Sequence, residues 1–423
     1  MTAAATALPA ALAAALASDL ASDSEDRIVF DLAGITARLD HLRDELPGVA
    51  VRYAIKACPL DEVIAALAAR GAGVDAASPN EIAQALRSGV PAARIHYGNT
   101  VKSDRNIADA HRMGITTFAT DSAEDVAAIA AHAPGARVFV RLATDGRGAL
   151  WGLSNKFGCS PRDAVRVLVA ARAAGLRPAG VSVHVGSQQM TTEAWQDAFA
   201  TITAVIGAAA REGIALDHVN IGGGLPALGY LDRHGLPLDP PVDKIFAVVR
   251  DGMAHCRLAA GHDLDFVVEP GRYLVADNAA IRAHVSRLTV RRGPDGREQR
   301  WLYLSCGKFN GLYEMDQLQY PLVFPGHPDP APRVPAVVAG PSCDSDDAFP
   351  YDQGLVQVPR DLASGDPVWV LSSGAYAISY MTRGFNGFDP LPYSFVGTEG
   401  AGSEGSGTAG SVTDGAVAGE AAR

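Results

Sequence analysis

Six short stretches of this 423-residue sequence end in side chains that could do chemistry. Tyr53-Ala54-Ile55-Lys56 sets an amine at the end of an apolar run, where desolvation would draw its pKa down and keep it nucleophilic, as a Schiff-base lysine requires. Gly73-Val74-Asp75 ends in a carboxylate, and Arg137 to Leu142 carries Arg141. His184-Val185-Gly186-Ser187 supplies an imidazole and a hydroxyl. Gly222-Gly223-Gly224 can turn consecutive backbone N–H groups toward an anion, and Glu269-Pro270-Gly271-Arg272 joins an acid to a guanidinium. Each has a plainer reading when taken alone. A strand-end lysine is usually solvated, a glycine triplet is often a turn, and a histidine on an apolar strand is ordinarily a core residue.

Taken together they describe one ligand. Ser187, the glycine triplet and Arg272 make a cup for a phosphate, His184 can stack on a flat ring, Glu269 can keep a ring nitrogen protonated, and Lys56 is the reactive amine. A phosphorylated heterocycle that reacts with amines is pyridoxal 5′-phosphate.

These residues must be positioned by elements, and the chain shows which. Between residues 50 and 270, β-rich runs alternate with Ala/Leu-rich stretches of helical period. The runs are Val51–Ala57, Gly73–Ala77, Arg94–Gly98, Thr116–Thr120, Arg137–Leu142, Gly180–Val185, His218–Gly222 and Asp265–Glu269. Ser78, Ser103 and the pair Asp121-Ser122 precede helical runs as N-caps. Eight strands with about seven helices predict an α/β fold, a (β/α)8 TIM barrel. A doubly wound sheet would want a Gly-rich first turn, which is missing. The chemical residues then fall at the C-terminal strand ends, where barrels carry their sites.

After residue 280 the runs Ala280–Arg291, Gln299–Leu304, Arg333–Ala339 and Pro367–Leu371 predict a second, mainly antiparallel β domain, which the strand Arg27–Phe30 would join. The expected divisions are an Ala-rich segment (1–26), the barrel (27–279), the β domain (280–396) and a disordered Gly/Ser/Glu tail (397–423).

Composition closes off other classes. A net charge of −11 without a basic run argues against nucleic acid, and no run approaches the roughly 20 apolar residues of a membrane span. Five widely spaced cysteines without a CxxC pair fit a reducing cytoplasm rather than a disulfide framework or zinc site, and the start lacks signal-peptide features.

From Arg52 to Phe395 the chain resembles the fold-type III pyridoxal-phosphate decarboxylases, the ornithine and diaminopimelate decarboxylase group. The resemblance is carried by the motifs above with Gly340-Pro341-Ser342-Cys343-Asp344-Ser345, Gly374-Ala375-Tyr376 and Phe385-Asn386-Gly387-Phe388. It implies Lys56 as the Schiff-base lysine, His184 on the ring face and Glu269 at the pyridine nitrogen. Asp75, Arg141, Ser187, Gly223, Gly224, Gly271, Arg272 and Tyr376 would complete the cofactor site. It also implies a homodimer with shared active sites, in which Cys343 and Asp344 enter from the partner, Cys343 returns a proton to Cα, and Lys156 pairs with Asp347 across the interface. An acid at the ring nitrogen favours decarboxylation; a racemase of similar barrel fold has arginine there. A regulatory homologue without cofactor would show decay at Lys56, the glycine triplet or Cys343, and none is decayed.

Cys-Asp-Ser and Phe-Asn-Gly-Phe resemble the ornithine branch, which implies a basic diamino acid, L-ornithine or L-lysine, as substrate. That branch carries a tyrosine-aspartate pair for the distal amine. Here the stretch reads Tyr313-Glu314-Met315-Asp316, with Met315 falling on the aspartate in an ungapped match. Either Glu314 or Asp316 supplies the carboxylate from a shifted position, or the distal group is uncharged or larger, as in siderophore or antibiotic precursors.

Overall fold

The structure, a computed structural model, describes residues 10–18, 25–152, 156–293, 296–352 and 354–397. The expected tail lies outside the described residues apart from Gly397, and of the Ala-rich start Ala10–Ser18 is described as helix α1, with Glu25 and Asp26 after it.

Strand β1 (Arg27–Asp31) is followed by β2 (Val49–Ala54), β3 (Gly73–Ala76), β4 (Ile95–Tyr97), β5 (Thr117–Thr120), β6 (Arg137–Arg141), β7 (Ala149–Trp151), β8 (Arg177–Ser182), β9 (Ser187–Gln189), β10 (His218–Asn220) and β11 (Asp265–Val268). Strands β2 to β6, β8, β10 and β11 close into a barrel in which every neighbouring pair is parallel. Strands β7 and β9 form a short antiparallel ribbon of their own. Helices alternate with the strands because local chemistry starts them. Ser78, Ser103 and Ser122 accept hydrogen bonds from the N–H groups of Glu81, Asn106 and Asp125, the N-caps expected from sequence, each contributing about 1 kcal/mol.

Rings from non-adjacent strands meet inside the barrel. His96 of β4, Phe139 of β6 and His218 of β10 lie 5.3 to 5.4 Å apart, which fills the interior beneath the strand ends. At this level the barrel is therefore a packed core rather than a channel.

Three strand ends fall at least two residues short of the expected extents, among them β8, which stops at Ser182 rather than Val185. Ile55–Ala57 is a 3₁₀ turn rather than strand, closed by Cys58 N–H donating to the Ile55 carbonyl at 3.0 Å. It carries Lys56 off the sheet and into the mouth. Strand β10 stops at Asn220, whose Oδ1 accepts from Gly222 N–H at 2.8 Å and curls the chain into the glycine triplet.

The remaining strands are β12 (Ala279–Arg292), β13 (Glu298–Leu304), β14 (Leu322–Val323), β15 (Arg333–Ala339), β16 (Val356–Pro359), β17 (Pro367–Leu371) and β18 (Tyr393–Val396). With β1 they form one sheet, its path running β14-β17-β12-β13-β15-β16, and β1 joins β12 to β18. Pairings are antiparallel except β1 with β18 and β13 with β15. Helix α1 rests on this sheet through buried Leu12 and Leu16, packed with Val29, Ala280 and Trp369. Burying two leucines contributes roughly 3–6 kcal/mol, which anchors a helix too short to persist alone.

Candidate active site

A cavity of about 450 Å³ occupies the barrel mouth. All eleven residues expected around the cofactor line it: Lys56, Asp75, Arg141, His184, Ser187, Gly223, Gly224, Glu269, Gly271, Arg272 and Tyr376. They come from seven segments of chain, brought together because each sits at or just beyond the C-terminal end of a barrel strand, save Tyr376, which the β domain delivers. Tyr376 N–H donates to the Ala57 carbonyl at 2.7 Å, beside Lys56, and holds the left-handed conformation, φ 63°. Such a conformation in a non-glycine residue is strained and persists where surrounding contacts enforce it.

The charges in the mouth tune one another. Burial pushes the Glu269 carboxyl up, Asp75 pushes it further, and its pKa lies at about 8 despite a hydrogen bond from Asn220 Nδ2 to Oε1. Burial likewise raises Asp75, against the pull of Lys56, Arg141 and Arg52. His184 is driven down to about 3 by burial and then by the cations Lys56 and Arg141, so it is a neutral ring. Lys56 differs from expectation. Burial among its neighbours lowers its pKa, but Tyr376, Asp75 and Glu269 together outweigh burial and hold it above the ordinary lysine value. The side chain is nonetheless open to the cavity, deep in the mouth but not sealed within protein.

Arg272 is 4% exposed and almost fully engaged. Its Nη1 donates to Glu314 Oε2 at 2.5 Å and to the Tyr230 hydroxyl at 2.9 Å; its Nη2 donates to Glu314 Oε1 at 2.6 Å and to Ser187 Oγ at 3.2 Å. The rings of Trp151 and Tyr376 lie 4.4 and 4.7 Å from the guanidinium carbon. Only Nε is left without a partner.

The residues expected at the substrate's distal end separate. Glu314 lines the cavity, with its carboxylate bonded to Arg272. Met315 is fully buried in the hydrophobic core, where the turn directs it away from the mouth. Asp316 lies outside the cavity lining and pairs with Lys308 Nζ at 3.0 Å. The chain does not bring Cys343 or Asp344 to Lys56. Both stand on the loop between β15 and β16, outside the cavity lining, with Cys343 exposed and its N–H held by Asn386 Oδ1 at 2.8 Å.

Lys156, expected to pair with Asp347 of a second copy, is exposed in this chain with its ammonium 4.9 Å from the Phe157 ring centroid. Asp347 is 3% exposed and its carboxylate is filled by its own chain: Lys308 N–H at 2.7 Å, Ser342 N–H at 3.0 Å and Ser342 hydroxyl at 2.6 Å. It staples the Cys343 loop.

Several lining residues escaped sequence reasoning. Trp151, Tyr313 and Tyr380 line the cavity, and Tyr230 and Asn220 fix Arg272 and Glu269 from behind. Asn220 had a signal, an amide in a strand immediately before the glycine triplet, and Tyr313 had one in the stretch Tyr313–Asp316; the other aromatic residues had none, because they reach the mouth by tertiary packing.

The residues fit pyridoxal phosphate. Buried polar atoms of Asp75 (Oδ1), His184 (Nδ1) and Arg272 (Nε) have no partner, which a bound polar molecule would repair. A Cβ on Gly223 would stand 2.9 Å from the Glu269 carbonyl and 3.3 Å from His184 Cε1, so only glycine leaves that wall open. Among the described residues no cluster could hold a metal ion, and no helix is long and apolar enough to cross a membrane.

Comparison with known proteins agrees. Residues 32–276 match the family model for the pyridoxal-dependent decarboxylase pyridoxal-binding domain. The lysine/ornithine decarboxylase of Selenomonas ruminantium is 31% identical over 373 residues, 85% of this chain and 87% of that one. The ornithine decarboxylase of Schizosaccharomyces pombe is 28% identical over 394 residues, 89% and 84% of the two chains. The lysine/ornithine decarboxylase of Vibrio vulnificus, solved with cadaverine, superposes with a TM-score of 0.80 at 27% identity, covering 93% of this chain and 100% of that one. With the cofactor residues gathered at one barrel mouth and the family model spanning that barrel, the chain belongs to the pyridoxal-dependent decarboxylases.

Proposed function

We propose that this protein decarboxylates a basic diamino acid, L-ornithine or L-lysine, to the diamine. The carrying observation is the convergence of Lys56, Glu269, His184 and the Arg272–Ser187 corner on one cavity. The names of the relatives support the substrate class.

Lys56 would carry pyridoxal phosphate through its amine, with the Arg272 Nε–H, the Ser187 hydroxyl, the Gly223–Gly224 backbone and Tyr376 around its phosphate. When bound, the cofactor supplies an electron-poor ring that takes up the electron pair left as CO2 departs. Glu269, protonated at neutral pH, can give its proton to the ring nitrogen and then hold it there as a carboxylate. Asn220 occupies Oε1 and so fixes which way the acid faces. His184, uncharged, offers a flat face without repelling the ring's positive charge. Lys56, its pKa held up by Tyr376, Asp75 and Glu269, rests protonated and gives up that proton before it acts as a nucleophile.

Cys343 would return the proton to Cα, and Asp344 would sit beside the distal amine, both contributed by a second copy of the chain. Their loop stands outside the cavity of its own chain and is stapled in a defined shape, which supports delivery elsewhere. We place the enzyme in the cytoplasm, since Cys58, Cys159, Cys256, Cys306 and Cys343 are all free thiols.

The test is CO2 release from L-ornithine and L-lysine by cofactor-loaded protein, alongside Lys56→Ala. Release from either substrate, lost in Lys56→Ala together with the visible absorbance of the bound cofactor, is the expected result. Absorbance without CO2 from either amino acid would overturn the assignment.

A further inference from the structure

The outer part of the cavity is aromatic rather than anionic. Tyr313 and Tyr380 both line it, with rings inclined by 19° and centroids 4.2 Å apart. They are 42% and 48% exposed, so two large rings are kept open at the mouth instead of being buried in the core. Of the carboxylates this chain places nearby, Glu314 has both oxygens on Arg272 and Asp316 is held by Lys308 outside the lining. Neither therefore offers a free carboxylate to a distal cation, and the other acids of the lining, Asp75 and Glu269, act on Lys56.

The position of the tyrosines relative to Lys56 is set by backbone. Tyr380 N–H donates to the Tyr376 carbonyl at 3.2 Å, and Tyr376 N–H donates to the Ala57 carbonyl at 2.7 Å, one residue from the reactive amine. Thr382 N–H donates to the Phe309 carbonyl at 3.0 Å, and its hydroxyl to the same oxygen at 3.1 Å, tying the segment that carries Tyr380 to the one that leads to Tyr313. The stacked pair is thus tied by backbone hydrogen bonds to the turn that carries Lys56. An ammonium held over an aromatic face is attracted to the ring's electron density, more strongly as water is excluded.

We propose that the stacked Tyr313–Tyr380 pair determines specificity by receiving the distal ammonium of the substrate on its exposed ring face. This rests on the diamino-acid reading above and adds, beside the Asp344 proposed there from a second copy, a surface of this chain that recognises the far end of the substrate. Both a cation and an uncharged chain of equal length can pack on such a wall, but only the cation gains the electrostatic attraction of the rings, so the pair selects for charge as well as length.

The experiment titrates the cofactor-loaded enzyme by calorimetry with cadaverine and with n-hexylamine, which replaces one ammonium by a methyl group. Wild type, Tyr380→Phe and Tyr380→Leu are compared. Tyr380→Leu is expected to weaken cadaverine roughly 3- to 30-fold while changing n-hexylamine little, and Tyr380→Phe, which keeps the ring face, is expected to stay near wild type. The KM for the diamino acid should rise by the same factor in Tyr380→Leu, with kcat little changed. Equal cadaverine affinity in Tyr380→Leu and wild type, or equal losses for both amines, would overturn the proposal while leaving the decarboxylase reading intact. A wild-type enzyme that releases no CO2 from either diamino acid and binds neither amine would remove both.

Discussion

Arg272 and Glu314 meet edge to edge in the barrel mouth, both guanidinium Nη atoms on both carboxylate oxygens at 2.5 and 2.6 Å, with neither residue more than 8% exposed. The pair joins the barrel, through the turn after β11, to the segment between β13 and β14. Removing one partner of a buried pair leaves the other charge desolvated and uncompensated, which costs about 3–5 kcal/mol. We expect Glu314→Ala to lower the unfolding free energy of cofactor-free protein by that amount, read as a lower urea midpoint. Added pyridoxal phosphate should restore part of the loss, because its phosphate can occupy the vacated edge of Arg272. An unchanged midpoint would mean the pair is not formed in solution.

Glu269 imposes a pH dependence whose sign follows from its raised pKa, about 8 against an ordinary value near 4.5. Below about 4.5 the folded and unfolded states both carry the proton. Between 4.5 and 8 the unfolded chain has released it and the folded chain has not, so the folded state binds more protons and stability falls as pH rises. Cofactor-free wild type should therefore lose stability relative to Glu269→Gln across that window, by on the order of a few kcal/mol. Urea midpoints measured for both proteins from pH 5 to 8 check this; curves that stay parallel would contradict the raised pKa.

Asp347 organises the loop that bears Cys343. Its carboxylate accepts from Lys308 N–H, Ser342 N–H and the Ser342 hydroxyl, so Asp347→Ala strands three donors in a buried place. Leaving a buried donor unsatisfied costs about 1–3 kcal/mol. We expect Asp347→Ala to reduce turnover at least tenfold through displacement of Cys343 while the visible absorbance of the bound cofactor persists, since the loop stands outside the cofactor cavity. Normal turnover in this variant would show that the loop's shape does not matter to the chemistry.

What could be read from sequence follows from range. Barrel strands and caps were legible because alternation and N-capping act over a few residues: Ser78, Ser103 and Ser122 each cap the helix that follows. Lys56, the glycine triplet and Glu269 were legible because a barrel places strand ends in one mouth, whatever the loops do. The Arg272–Glu314 pair was not, since two residues 42 apart on different layers meet only through tertiary packing. The bonds within the Asp347 loop were not legible either, since its donors lie on its own loop and on Lys308, and nothing local marks them. Met315 shows the limit of ungapped alignment, where one residue of slip in a turn exchanges a cavity side chain for a core one.

Cys343 poses the sharpest question of assembly. Its loop does not reach Lys56 in the same chain, yet the proposed reaction needs a proton returned to Cα beside that lysine. If two copies share their sites, a dimer of one Lys56→Ala protomer and one Cys343→Ala protomer contains one intact site, built from the lysine of the second and the thiol of the first, and one site lacking both. Random exchange makes half of the dimers mixed, so mixing two inactive homodimers under mild dissociating conditions should restore at most about a quarter of wild-type turnover. The recovered activity should appear at the rate of subunit exchange, followed by a pull-down of differently tagged copies. Mixed dimers that form and stay inactive would show that Cys343 does not serve the neighbouring lysine, and the proton would have to come from within the chain.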